Sequence, residues 1–136
     1  MKKGYFMKIS LLLTTYNWKE ALELLLLSIF RQTELPFEII IADDGSSDDT
    51  RELIDSMREM TSIPINHVWA PDEGFRRTAI LNKALLQAQG DYISQVDGDV
   101  ILHRKFIEDQ RRCSAPGVFL RGYRVMMNEE IGRAHV

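Results

Sequence analysis

The chain has 136 residues, 45% of them hydrophobic and 27% charged, which suits a single globular domain and argues against disorder, collagen-like repetition or coiled coil. Seventeen basic residues against twenty acidic ones leave a formal net charge of −3, so a protein that holds nucleic acid by bulk electrostatics is not expected. The single cysteine, Cys113, cannot form an internal disulfide, which fits a reducing compartment and makes the cytoplasm the expected location.

Met1 to Lys8 opens like a signal peptide, but the apolar run after it, Ile9 to Leu13, is short and lacks a small-residue cleavage site, so the segment reads as mature protein. Leu24 to Phe30 is bracketed by Glu20, Glu23 and Arg31 and falls short of the ~20 apolar residues of a spanning helix, so no transmembrane segment is expected. Ile9 to Leu13 predicts a buried strand running out into the polar loop Thr14 to Asn17. A helix follows to about Gln32, with Asn17 as N-cap, Glu20 at the capping-box position, and an apolar stripe of Ala21, Leu22, Leu25, Leu26, Ile29 and Phe30.

Phe37 to Ala42, β-branched and almost continuously apolar, predicts a second buried strand. Asp43-Asp44-Gly45-Ser46-Ser47 leaves it, and Ser47 or Asp48 caps a helix whose shared face is Leu53, Ile54, Met57 and Met60. Ile63 to Trp69 predicts a third strand, with Pro64 requiring an edge position or a late start. Arg76 to Gln89 predicts a helix ended by Gly90 as its C′ residue, Asp91 to Val96 a strand, Lys105 to Cys113 a helix, and Val118 to Met127 a final strand. Alternation of this kind predicts a three-layer α/β/α domain over residues 1–136 with a mostly parallel central sheet.

In such a sheet ligands bind beyond the carboxyl ends of the strands, where three polar segments emerge: Thr14 to Asn17, Asp43 to Ser46 and Asp97 to Asp99. Carboxylates gathered there repel one another unless protonated or joined by a cation. Asp97-Gly98-Asp99 can offer oxygens to a hard divalent ion such as Mg2+ or Mn2+, although the same tripeptide also makes an ordinary turn. Asp44 can accept hydrogen bonds from a base or ribose, while Gly45 and Ser47 are explained by a turn and a helix cap. Glu73 to Arg77 forms a basic helix entry able to meet phosphate or, equally, a solvated face; Asn82 is a brace for the acidic loops or a surface amide. His67, His103, His135 and Cys113 lack metal-ligand spacing, and the glycine motifs of serine hydrolases, phosphate-loop NTPases and dinucleotide oxidoreductases are missing.

Taken in order, Ile9 to Asn17, Ile40 to Ser46 and Gly90 through Asp99 resemble the family 2 glycosyltransferases, enzymes of GT-A fold that use nucleotide-sugar donors. The resemblance implies that Thr14 and Tyr16 line the base pocket, Asp44 accepts from the base, Arg76 approaches the nucleotide, Asp99 ligates a divalent cation (Mn2+ or Mg2+), and Asp97 lies near the ribose or in the metal's outer shell. The segment Gly74-Phe75-Arg76 with Asn82 and Lys83 is similar to a bacterial subset of the family. The implied reaction is inverting transfer of a sugar, expected from a UDP-sugar, to a carbohydrate or lipid-linked acceptor in polysaccharide biosynthesis, in the cytoplasm or peripherally at the inner face of the cell membrane. The family's general base comes from segments after the acidic motif; Glu129 and Glu130 do not match its context, so the base is expected beyond Val136 and the chain is expected to be the donor-binding portion of a longer domain. A non-catalytic nucleotide-binding module is the alternative; a sugar-nucleotide pyrophosphorylase is disfavoured because Thr14 to Asn17 stands where its glycine-rich loop would be.

Overall fold

Eight elements alternate along the chain: β1 (Ile9–Thr15), α1 (Lys19–Phe30), β2 (Glu38–Asp43), α2 (Asp48–Arg58), β3 (Ile65–Trp69), α3 (Arg77–Leu85), β4 (Tyr92–Asp97) and α4 (Phe106–Cys113). They come from a computed structural model that describes residues 6–74, 76–115, 117, 120 and 122. The strands are too far apart in sequence for hairpins, so each connection crosses over through a helix and every pairing is parallel, in the order β3-β2-β1-β4. The chain thus steps outward from β1 to β3, then returns to place β4 on the other side of β1.

The pleat of β1 sorts its side chains between two cores. Ile9, Leu11 and Leu13 face one layer, with Ile39 and Ile41 of β2, Leu22, Leu25, Leu26 and Ile29 of α1, Ile54 and Met57 of α2, and Ile107 of α4. Leu12, Ile40, Ala42 and Val68 face the other, closed by Ile80 and Ala84 of α3. Two buried faces explain why β1 and β2 read as unbroken apolar runs. Each fully buried Leu or Ile contributes about 1.5–3 kcal/mol. Truncating Leu25, which is fully buried, is therefore expected to cost about 2–5 kcal/mol.

Several sequence expectations are corrected. Trp18, not Asn17, occupies the N-cap of α1, with no side-chain cap bond; Asn17 takes a left-handed φ of 44° and sends its amide to a neighbouring loop. Ser47 is the N-cap of α2, but its hydroxyl donates to Asp49 rather than capping a backbone N–H. Met60 lies past the end of α2 and is exposed, so the buried face ends at Met57. The third helix stops at Leu85, and Gly90 is no C′ residue: its N–H donates to Ser10 Oγ, and an added Cβ would collide with that hydroxyl and with the Lys8 carbonyl. Pro64 delays β3 to Ile65, and β3 is at one edge of the described sheet. The strand expected over Val118 to Met127 lies, save for Leu120 and Gly122, outside the described residues, as do Glu129, Glu130 and His135. Among the described residues no helix is long and apolar enough to cross a membrane.

Candidate functional site

The strand order reverses between β1 and β4, and the crevice at the carboxyl end of such a switch point is where an open parallel sheet presents ligands to its loops. A cleft of about 620 Å³ opens there. Its walls are Thr14, Thr15, Tyr16 and Trp18 after β1, Ala42 and Asp44 at the end of β2, Asp72 and Gly74 after β3, Arg77 and Ile80 of α3, and Asp97, Gly98 and Asp99 at the end of β4. Four strand ends therefore converge on one space. Ala42 and Ile80 give it an apolar floor, and the carboxylates ring it.

Two glycines let the loops come this close. Gly45 has φ +94°, and an added Cβ would sit 2.5 Å from the Asp72 backbone, so the loop after β2 can touch the loop after β3 only without a side chain. Gly98 packs directly on the Thr14 carbonyl, where a Cβ has no room. Hydrogen bonds then fix the loops to one another. The Asn17 N–H donates to Ser46 Oγ at 2.8 Å, the Ser47 N–H donates to Asn17 Oδ1 at 2.8 Å, and Trp69 Nε1 donates to the Ser46 carbonyl at 2.9 Å.

Adjacent aspartates at the end of β2 have different surroundings. Asp43 is fully buried; its Oδ1 accepts from the Ser46 N–H at 2.9 Å and its Oδ2 lies 2.7 Å from His67 Nε2. This carboxylate closes the turn and does not reach the cleft. Asp44 is 8% exposed and does reach it. Its Oδ2 accepts from the Arg76 N–H at 2.8 Å, whereas its Oδ1 is buried with no donor among the described residues. A buried carboxylate oxygen without a donor costs free energy, which marks Asp44 as the unsatisfied polar group among the residues lining the cleft.

On the opposite wall, Asp97 and Asp99 flank Gly98, with Asp97 partly exposed and Asp99 exposed. Arg77 Nη2 donates to Asp97 Oδ1 at 2.5 Å. No group of three metal-ligating side chains occurs among the described residues. The donor set still fits Mg2+ or Mn2+, which retain water and bind through one or two carboxylates together with substrate phosphates rather than in an all-protein cage. Tyr16 closes the mouth, its hydroxyl donating to Asp72 Oδ2 at 2.7 Å. That hydrogen bond, reinforced by the negative charge of Asp72, raises the Tyr16 phenol above its ordinary value of 10.0.

Residues 10–112 match the family described as Glycosyl transferase family 2. The chain belongs to this family. It is 33% identical over 93 residues to the hyaluronan synthase of Pasteurella multocida, covering 68% of this chain and 9% of that protein. Residues 1–349 of Staphylococcus aureus TarS, solved in complex with UDP-GlcNAc, superpose with a TM-score of 0.62 at 27% identity, covering 76% of this chain and 30% of that one. The mannosyltransferase PcManGT of Pyrobaculum calidifontis, solved with GDP-Man and Mn2+, gives a TM-score of 0.62 at 25% identity, covering 71% of this chain and 28% of that one. The chain spans less than a third of the length of the curated relatives it matches. The four-stranded parallel sheet and its helices match the GT-A fold of these structures, as the resemblance implied.

Within this family member, Thr14, Tyr16, Asp44, Asp97 and Asp99 all lie on the one cleft. Arg76 faces a smaller adjoining hollow of about 180 Å³, shared with Asp44, and its guanidinium is 3.5 Å from Glu73. Among the described residues, Arg77 is the arginine on the main cleft wall. Asn82 is exposed and lines neither space. Sequence reasoning missed Asp72, Trp18 and the pairing of Arg77. Asp72 was within reach, because the rule that selected three strand-end loops applies equally to the loop leaving β3. The partner of Arg77 lies 20 residues away across a crossover and leaves no local signal.

Proposed function

We propose that this chain is the donor-binding part of an inverting, cation-assisted glycosyltransferase that takes a nucleoside-diphosphate sugar, with UDP as nucleotide. The observation that carries the reading is the unsatisfied Oδ1 of Asp44, buried on the same cleft as Asp97 and Asp99. An N–H of the base completes that oxygen, Thr14 and Tyr16 flank the base, and the Arg76 backbone N–H holds the Asp44 carboxylate in place. Asp99, with Asp97 beside it, would hold a divalent cation, which neutralises the departing diphosphate as a Lewis acid. Arg77 adds a guanidinium to the same wall. The likeness to structures solved with UDP-GlcNAc and with GDP-Man and Mn2+ supports this arrangement.

Transfer also requires a base for the proton of the acceptor hydroxyl. No described residue is assigned to that task. The acceptor class we propose is a carbohydrate or lipid-linked hydroxyl. Calorimetric titration with UDP tests the donor site: binding is expected, strengthened by Mn2+ in the wild-type chain, with the strengthening lost in Asp99→Ala. Equal affinity with and without Mn2+ in both proteins overturns the cation-assisted reading. UDP binding without sugar transfer from any nucleotide sugar, in a protein containing the whole family domain, would favour a non-catalytic module.

A further inference from the structure

Arg77 and Asp97 meet at 2.5 Å on the cleft wall, with side chains 39% and 43% exposed. Neither group is committed to the core, so the contact can break without unfolding anything. Asp97 is one half of the carboxylate tip to which the proposed cation would bind, and a guanidinium on its oxygen lowers the negative charge there and occupies one of its lone pairs. Cation and guanidinium therefore compete for the same carboxylate.

We propose that Arg77 is a positioning residue that serves as the resident counter-ion of the Asp97–Asp99 tip, suppressing cation binding until a nucleoside diphosphate arrives. The inference rests on the donor-site reading above. A diphosphate gives the guanidinium an alternative anion within the same cleft, because Arg77 already lines it. Once Arg77 is drawn from Asp97, the Oδ1 that it occupied is released to the cation, and nucleotide and metal load together. Such coupling is reciprocal: each ligand raises the affinity for the other by the same factor. The tip is then not left loaded with cation before donor is present.

The test measures Mn2+ affinity by electron paramagnetic resonance, with and without UDP, for the wild type and for Arg77→Gln, Arg77→Met and Arg77→Lys, with thermal melts to confirm folding. Removing a partly exposed ion-pair partner is expected to tighten binding of Mn2+ alone by roughly fivefold in the two neutral variants. Arg77→Lys keeps the charge and is expected to stay close to wild type. The enhancement of Mn2+ binding by UDP should shrink in the neutral variants. Unchanged or weaker binding of Mn2+ alone in both neutral variants overturns the proposal, as does an Arg77→Lys protein that behaves like Arg77→Gln. A wild-type chain that binds Mn2+ but shows no UDP enhancement overturns the coupling and the cation-assisted donor site, whereas tighter Mn2+ binding by Arg77→Gln in that case still supports the counter-ion role.

Discussion

The two acidic tips of the cleft are built from the same residue type at the ends of parallel strands, yet they are held in opposite ways. The β2 tip is buried and hydrogen-bonded: Asp43 is enclosed by His67 and the Ser46 N–H, and Asp44 accepts from the Arg76 N–H, its other oxygen having no donor among the described residues. The β4 tip is open and balanced by charge, with Arg77 on Asp97 and Asp99 exposed. Burial decides the difference. A buried carboxylate needs fixed donors on at least one of its oxygens before any ligand comes, while an exposed one can exchange partners at little cost. The first arrangement suits a rigid, hydrogen-bonded base and the second a mobile ion.

The contrast predicts a graded series of effects. Asp43→Ala should be the most damaging change, because it strips His67 and the Ser46 N–H of a buried partner; a loss of about 3–5 kcal/mol in urea denaturation is expected. A loss below about 1 kcal/mol would show that the β2 tip is not rigidly built. Asp44→Ala strips the Arg76 N–H of its acceptor and should cost about 1 kcal/mol in denaturation, while weakening UDP binding by about 1.5–3 kcal/mol, the worth of a hydrogen bond to a charged group. Asp99→Ala should alter stability by no more than about 1 kcal/mol, since interactions of an exposed strand-end carboxylate are screened by solvent, and its main effect should appear in the Mn2+ dependence. Comparable destabilisation by Asp99→Ala and Asp43→Ala would erase the distinction between the tips.

The smallest effect is expected at Tyr16, where the raised phenol supplies a pH signature. The protonated hydroxyl is favoured in the folded chain, so its contribution is complete below about pH 10 and fades as pH climbs through the higher folded value. Tyr16→Phe should remove a step lying above the ordinary phenol range from an ultraviolet tyrosinate titration, while leaving UDP binding at neutral pH within about twofold.

The alternation of strands and helices, the parallel sheet and its two buried faces were legible because apolar runs and stripes record burial directly. Convergence of Thr14, Asp44, Asp97 and Asp99 was legible for a topological reason, since parallel strands present all their carboxyl ends at one edge. What escaped were pairings between distant loops. Asn17 has the composition of a helix cap, but its amide is worth more bridging to Ser47, and nothing within its own segment announces that. His67, noted in the sequence only for lacking metal-ligand spacing, is the partner of a buried carboxylate 24 residues away. Of two adjacent arginines, sequence reasoning singled out Arg76, which lines the adjoining hollow and meets Asp44 through its backbone N–H, and did not single out Arg77, which lines the main cleft.

One consequence follows from the register of the central strands. Thr14 is the Cα partner of Ala42 on one side and of Asp97 on the other, which places these three residues in a straight row across the sheet. Neighbouring strands are about 4.8 Å apart, so the row measures roughly 10 Å from end to end. The sheet is in effect a ruler. A molecule that touches β2 and β4 at once must bridge that length, and the hydrogen-bonded spacing of the backbone, which no side-chain substitution changes, sets the minimum size of what the cleft can grip at both ends.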